Sequence, residues 1–523
     1  MPEQAETMRA DNLPARRAWA ARMRRRLAAG ASALSAALLL AGCGTPVVNP
    51  VTGKTERSVM TEADEIAEGR KAHPQIVQEY GRVDDARLQA YVSEIGQRLA
   101  RQSHRAQLPW TFTVLDSPEV NAFALPGGYV YVTRGILAHL GSEAELAGVL
   151  GHEIGHVTAR HGAQRATRQQ QAGLGVLAAT VLGAVLEGQG FGGATDLASQ
   201  VSQVAAAGYL ASYSRDQELQ ADRLGAEYLA RNAYDPQRMV DVIGVLQGQE
   251  LFAADLARAE GRAAPQGMHW LATHPSSEQR LAEIRREAAR YAGSYGDARR
   301  DRYLAAVAGI TFGDGRAHGV VRGRDFFHEE LGIALTAPQG WRIVNAADAV
   351  TLADAAGDAG LVVRLVPPKA GRSHDEIIRN AFKPTDGRAE RRSVNGLAAT
   401  HFVGSAADAQ GKPRTLRFTL VDGPGGRTYL LGWAWRDAAA LQRDGGGIAA
   451  AERSFRALSA AERERARPWV VDIVAFPRGG WAELARGSPL GPQDRAQAQL
   501  RLINGVYDGG ADPRPGERVK VVR

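Results

Sequence analysis

Two pairs of residues, each four positions apart, limit the folds open to this chain: His152 and His156 in "GHEIGHVTARHG" (151–162), and Glu218 and Asp222 in "YSRDQELQADRLGAEYLA" (213–230). Residues four apart on an α-helix rise about 6 Å and share one face, so each pair acts as a unit only if both segments are helices. The two imidazoles then point at one place, where a zinc ion would bind each at about 2.0–2.1 Å. Glu153 stands about 100° around the helix from His152, off the ligand face but beside it, where a general base belongs.

An H-E-x-x-H string arises by chance in roughly one or two of every hundred chains this long, so alone it decides little. Glu218 adds more, because two histidines and a carboxylate leave a fourth position for water, the open arrangement of catalytic zinc. Asp222 is spaced to accept the second ring N–H of a ligand histidine and so fix its tautomer. Without the first motif, Glu218 and Asp222 read as a solvated helix face.

Local signals agree with helices here. Ser142 and Glu145 in "GSEAELAGVL" (141–150) predict a capping box, Gly162 predicts the stop, and Leu146, Val149, Leu150, Ile154 and Val157 predict a core-facing stripe. Upstream, "NAFALPGGYVYVTRG" (121–135) alternates around Pro-Gly-Gly, which predicts a hairpin or edge strand. An exposed edge there would bind an extended chain through its main chain, with Asn121 and Ala122 beside the cleft; as residues alone, Asn121 reads equally as a turn cap.

In this order the segments resemble the CAAX-prenyl-protease/HtpX-like superfamily of zinc metallopeptidases, in its BepA-like bacterial lipoprotein branch. The resemblance covers about residues 45–300 and adds "VNPVTGK" (48–54), "SPEVNAFALPGGYVYVTRGIL" (117–137) and "THPSSEQR" (273–280). It implies a mainly α-helical zincin-type (gluzincin) peptidase domain with a small β edge at 61–300. It also implies one Zn2+ per chain on His152, His156 and Glu218, with Glu153 as general base and Asp222 orienting a ligand. His274 and Arg280 are the candidates for stabilising an oxyanion; His274, as a neutral imidazole, has the alternative of filling the fourth zinc position at rest. The implied activity is endopeptidase action on misfolded or unassembled envelope proteins. A chaperone-like outer-membrane assembly factor with minor protease activity and a peptidoglycan-directed hydrolase are the alternatives.

Arg22, Arg24, Arg25 and Arg26 precede an apolar run, Leu27 to Ala41, that ends in "LAGC" (40–43). This has the form of a bacterial secretory signal over 1–42, too short for a comfortable span. It resembles a lipobox, which implies a lipid on Cys43, an anchor linker over 43–60, and a periplasmic protein held at the outer membrane, since Gly44 stands where Asp would signal inner-membrane retention. Cys43 is the one cysteine, so no internal disulfide is expected. Ala172 to Leu186 is apolar, but as a helix it would reach about 22 Å against a hydrocarbon core of about 30 Å. It reads as a buried or surface-lying helix, and the glycine-rich 187–196 after it as a lid-like loop.

The net charge of +7 owes much to the leader, whose seven arginines face three acids, leaving +3 without it. A pI of 9.6 is therefore no argument for a nucleic-acid partner. A length of 523 residues, 44% of them hydrophobic, allows about three domains. Glycine-rich "GDGRAHGVVRGR" (313–324) marks a boundary. Beyond it "LVVRLV", "TLRFTLV", "TYLLGWAW" and the helical "SHDEIIRNAF" predict an α+β domain with an antiparallel sheet at 325–458, whose "APQGWRIVN" resembles PsbP-type modules. His328, Glu329 and Glu330 lack metal spacing. Residues 466–523 read strand, helix, helix, strand, and "LRLINGV" and "PRPGERVKVV" resemble a LysM module. That implies peptidoglycan as a partner, although Gly479-Gly480-Trp481 departs from the family's first turn and a small packing domain is the alternative.

Overall fold

The computed structural model describes residues 45–170, 213–259, 261, 274, 278–291, 293–346, 349–407 and 412–523. The expected leader, Cys43, the apolar 172–186 and the glycine-rich 187–196 lie outside the described residues. Among the described residues no helix is long and apolar enough to cross a membrane.

The stretch expected as a linker begins with a hairpin, β1 (Thr45–Val48) and β2 (Thr55–Ser58). Asn49 makes its turn: Oδ1 accepts the N–H groups of Val51 and Thr52 at 2.9 and 3.1 Å. Two capped helices follow, α1 (Glu62–Tyr80) and α2 (Ala86–Arg101). Leu88, Val92, Ile95 and Leu99 of α2 recur every three or four residues and are buried together.

Strands β3 (Thr111–Leu115), β4 (Ala122–Leu125) and β5 (Tyr129–Thr133) pair in the order β3-β5-β4, with β5 parallel to β3 and antiparallel to β4. The predicted Pro-Gly-Gly turn joins β4 to β5, and Gly127 (φ 84) has no room for a side chain, because a Cβ would lie 2.6 Å from Glu65 O. β4 is an end strand, as expected, but not an exposed one. Its residues are all buried, Phe123 stacking on Tyr131 while the following helix layer packs across it.

That layer is α3 (Arg134–His139) and α4 (Glu143–Thr158). α4 departs from expectation in three ways. Every residue in it is buried, not one stripe, because strands, α2 and later helices enclose it on all sides. Ser142 Oγ accepts from Glu145 N–H, but the return bond to the Glu145 carboxylate comes from Gly141 N–H at 2.7 Å, one residue before the expected donor. The helix stops at Thr158, where Arg160 turns left-handed (φ 61), and not at Gly162, which packs against Pro126.

Helices α5 (Arg215–Arg231), α6 (Arg238–Ala259), α7 (Glu278–Ala289) and α8 (Arg300–Val307) complete the first body. α4 and α5 cross through small residues: a Cβ on Gly155 would stand 2.9 Å from Ala221 O, and one on Gly151 3.4 Å from Gly225 Cα. This close crossing brings the two four-residue pairs face to face.

The middle body holds a seven-stranded antiparallel sheet that starts from the end strand Arg342–Asn345 and carries the Ala438–Arg453 helix, beside a four-stranded sheet. The final residues follow the expected order, strand Trp469–Ala475, helices Gly480–Arg486 and Gln493–Ile503, and strand Arg518–Val522. They do not stand apart: Val471, Trp481, Leu500 and Val521 share one core with Leu146 and Ile154 of α4. Lys520 is fully buried and donates to Ala138 O at 2.8 Å and Leu140 O at 2.5 Å, which caps the end of α3.

Candidate metal centre

Across the α4–α5 crossing, His152, His156, Glu218 and His274 offer one donor atom each, all within 4.8 Å of one another and all buried. His152 Nε2 lies 2.9 Å from His156 Nε2, 3.2 Å from His274 Nδ1 and 3.6 Å from Glu218 Oε2. Glu218 Oε1 lies 3.0 Å from His274 Nδ1 and 3.4 Å from His156 Nε2. Four ligands about 2 Å from a single ion stand roughly 3.3 Å apart in a tetrahedron, so the donor set fits one cation of zinc's size. Two imidazole Nε2 atoms turned toward each other make a poor hydrogen bond but a good pair of ligands.

The atoms behind the donors fix their tautomers. Asp222 Oδ1 lies 2.9 Å from His152 Nδ1, which puts that proton on Nδ1 and turns the Nε2 lone pair into the group. For His156 the same task falls to His161. His161 Nε2 bonds to Gln220 Oε1 at 2.9 Å, so its Nδ1 is left to accept from His156 Nδ1 at 2.8 Å. Burial pushes His161 down to about 4, which keeps it the neutral acceptor this relay needs. The left-handed turn at Arg160 swings His161 back beside the helix it has just left.

Charge explains the rest. Burial opposes ionisation of Asp222 and Glu218, yet both carboxyls lie below their usual range, Asp222 through Arg280 and Glu218 through His274 and the bonds from His152 and His274. Burial would likewise depress His152, but Asp222 and Glu218 outweigh it and raise the imidazole to about 9, so a cation that binds at Nε2 must displace a proton there. Burial and the charge of His152 hold His156 well below its ordinary value.

Glu153 is fully buried, with Oε1 3.6 Å from His274 Nε2. Arg280 takes a different position from the expected oxyanion donor. Its Nε and Nη2 grip the two oxygens of Asp222 at 2.7 and 2.9 Å, and its Nη1 lies 2.9 Å from both Glu218 Oε2 and His274 O. It clamps two carboxylates and the His274 main chain. Tyr213, unremarked in the sequence, stacks on His156 at 3.8 Å between ring centroids, with the Arg165 guanidinium over its own ring. Asn121 precedes β4 with Oδ1 buried and without a hydrogen bond among the described residues, and Ala122 begins β4 fully buried. The voids beside His156 and His152 measure about 10 Å³ each, hardly one water.

Two crossing helices, a converging set of histidines and a carboxylate, and a buried glutamate beside them form the arrangement that a metallopeptidase site requires. Residues 86–288 match the sequence profile of Peptidase family M48, and that stretch is similar to the family's peptidase domain. The chain is similar to the beta-barrel assembly-enhancing protease of Escherichia coli (strain K12), at 31% identity over 230 residues, 43% of each chain. It is similar also to the mitochondrial metalloendopeptidase OMA1 of Schizosaccharomyces pombe, at 31% identity over 221 residues, 41% of this chain and 58% of that one. The chain thus spans less than half the length of the bacterial relative. The solution structure of cyanobacterial PsbP from Synechocystis sp. PCC 6803 covers 28% of this chain and 98% of its own, at 15% identity and a TM-score of 0.20, too low to support a shared fold.

Proposed function

We propose that this chain is a zinc-dependent endopeptidase acting on misfolded or unassembled envelope proteins, held at the periplasmic face of the outer membrane by a lipid on Cys43. The observation that carries the reading is the convergence of four buried donors with Glu153 at their side. His152, His156 and Glu218 would hold the zinc ion, which when bound supplies Lewis acidity toward a carbonyl and lowers the pKa of a water. Glu153 receives a proton from the attacking water and later delivers one to the leaving amine. Asp222 and His161 hold the tautomers of His152 and His156, and Arg280 keeps Asp222 and Glu218 charged and in place. His274 plugs the fourth position at rest, a reading supported by its Nδ1 lying among the donors. The name of the Escherichia coli relative supports envelope β-barrel proteins as the substrate class. Residues 466–523 share the peptidase core and bury Trp481, which favours a packing role over glycan capture.

The deciding comparison is Glu153→Gln against wild type, on casein and on a misfolded outer-membrane protein. The variant removes a base without touching a ligand, so zinc content and thermal unfolding stay unchanged while cleavage falls by about 10²–10⁴-fold. Wild-type cleavage by the variant would overturn the mechanism.

A further inference from the structure

We propose that the cleft between the middle body and the final strand–helix–helix–strand unit is a second binding site, non-catalytic, for an extended polypeptide segment rich in apolar and acidic residues. As a recruitment site for substrate it rests on the peptidase reading, but the binding itself does not.

The cleft encloses about 970 Å³ and shares no residue with the metal centre. That volume lies in the range of real ligand sites. Its walls combine Trp341, Trp469 and Leu490 with Arg322, Arg342 and Arg495, and no Asp or Glu lines it among the described residues. Arg322 is already held in place: its guanidinium lies 3.9 Å over the Trp469 ring and donates to Val321 O at 3.0 Å and Arg467 O at 2.7 Å. Asp314 acts on Arg322 electrostatically from outside the cleft. Aromatic and arginine side chains in a concave surface are the anchors that protein interfaces favour, and cationic walls without acids select an anionic guest.

The form of that guest follows from the sheet. The strand Arg342–Asn345 is the end strand of the seven-stranded sheet, with Ala353–Val350 on one side and, among the described residues, no strand on the other. Arg342 and Ile343 line the cleft, and Val344 is 48% exposed. A free strand edge is a template for one more strand. A peptide added there would alternate its side chains between the two faces, sending apolar groups toward the tryptophans and acids toward the arginines. A glycan would stack on tryptophan as well, but it has no use for a strand edge, so the edge favours polypeptide.

The test uses the full chain and fluorescence anisotropy of a labelled peptide of alternating Phe and Glu. Three controls accompany it: the same peptide with Lys for Glu, the same peptide N-methylated at alternate residues, and soluble glycan strands as competitor. The Phe/Glu peptide binds, more tightly at low salt, while the Lys and N-methylated peptides do not. Arg342→Glu with Arg495→Glu weakens binding at least about tenfold, with thermal unfolding and cleavage of a short uncharged peptide unchanged. Equal binding by the double variant or the N-methylated peptide, or displacement by glycan, would overturn the proposal. If Glu153→Gln still cleaves while the peptide still binds, the peptidase mechanism falls and the cleft stands; if cleavage behaves as expected and binding fails, the cleft alone falls.

Discussion

At the scale of single residues, the hydrogen-bond relay behind the metal centre makes His161 more than a neighbour. Replacing it with Ala leaves His156 Nδ1 without the acceptor 2.8 Å away, so the ring is free to take the wrong tautomer. The metal should then bind about 10–100-fold more weakly, measured by competition with a chromophoric chelator. His274→Ala separates two roles by sign. It raises basal proteolysis if His274 plugs the fourth position, as proposed, and lowers it about ten- to a thousandfold if the residue supports an oxyanion, as read from casein cleavage at equal zinc content. The two four-residue pairs were legible because helix periodicity alone puts each pair on one face. His161, Gln220, Tyr213 and the grip of Arg280 on Asp222 and Glu218 were not, because each depends on contacts made across the fold. His161 depends besides on a left-handed turn at Arg160 that its residue type does not announce.

At the scale of elements, the distance between α4 and α5 decides whether the ligands meet. Gly155→Ala would set a Cβ 2.9 Å from Ala221 O, and overpacking of this kind costs about 1–3 kcal/mol. Both urea stability and zinc occupancy should fall, since Glu218 rides on the displaced helix. Gly244→Ala on α6 is the contrast: nothing lies within 4 Å of the added Cβ, and the loss of glycine's entropy cost should stabilise by about 0.5–1 kcal/mol. The hairpin at Pro126–Gly128, the strands of the middle body and the final strand–helix–helix–strand order were readable from alternation and turn residues. The total burial of α4 was not, because a helix enclosed on all sides still shows an ordinary stripe of large apolar residues. Alanine, glycine and the buried polar residues Glu143, Glu145, His152, Glu153, His156 and Thr158 fill its other faces.

At the scale of the whole molecule, neutral histidines spread through both bodies make acid the weak point. Burial holds His139, His328 and His401 at about 4, whereas an unfolded imidazole titrates near 6.5. Between those values the unfolded chain binds more protons, so stability is full above about 6.5 and declines as pH falls toward 4. His139 is fully enclosed and alone accounts for roughly 3 kcal/mol of that decline. Urea midpoints taken at neutral and mildly acidic pH should show the loss, and His139→Gln should make it shallower. The final strand carries a different consequence. Val519, Val521 and Val522 complete a core whose other members begin at Leu88, while Lys520 between them bonds the end of α3, and all of them lie hundreds of residues further along the chain. Until Arg518–Val522 has joined that core, the helix bearing His152 and His156 lacks part of its support. On the proposed reading, the metal centre gains its full backing only once the last strand is in place.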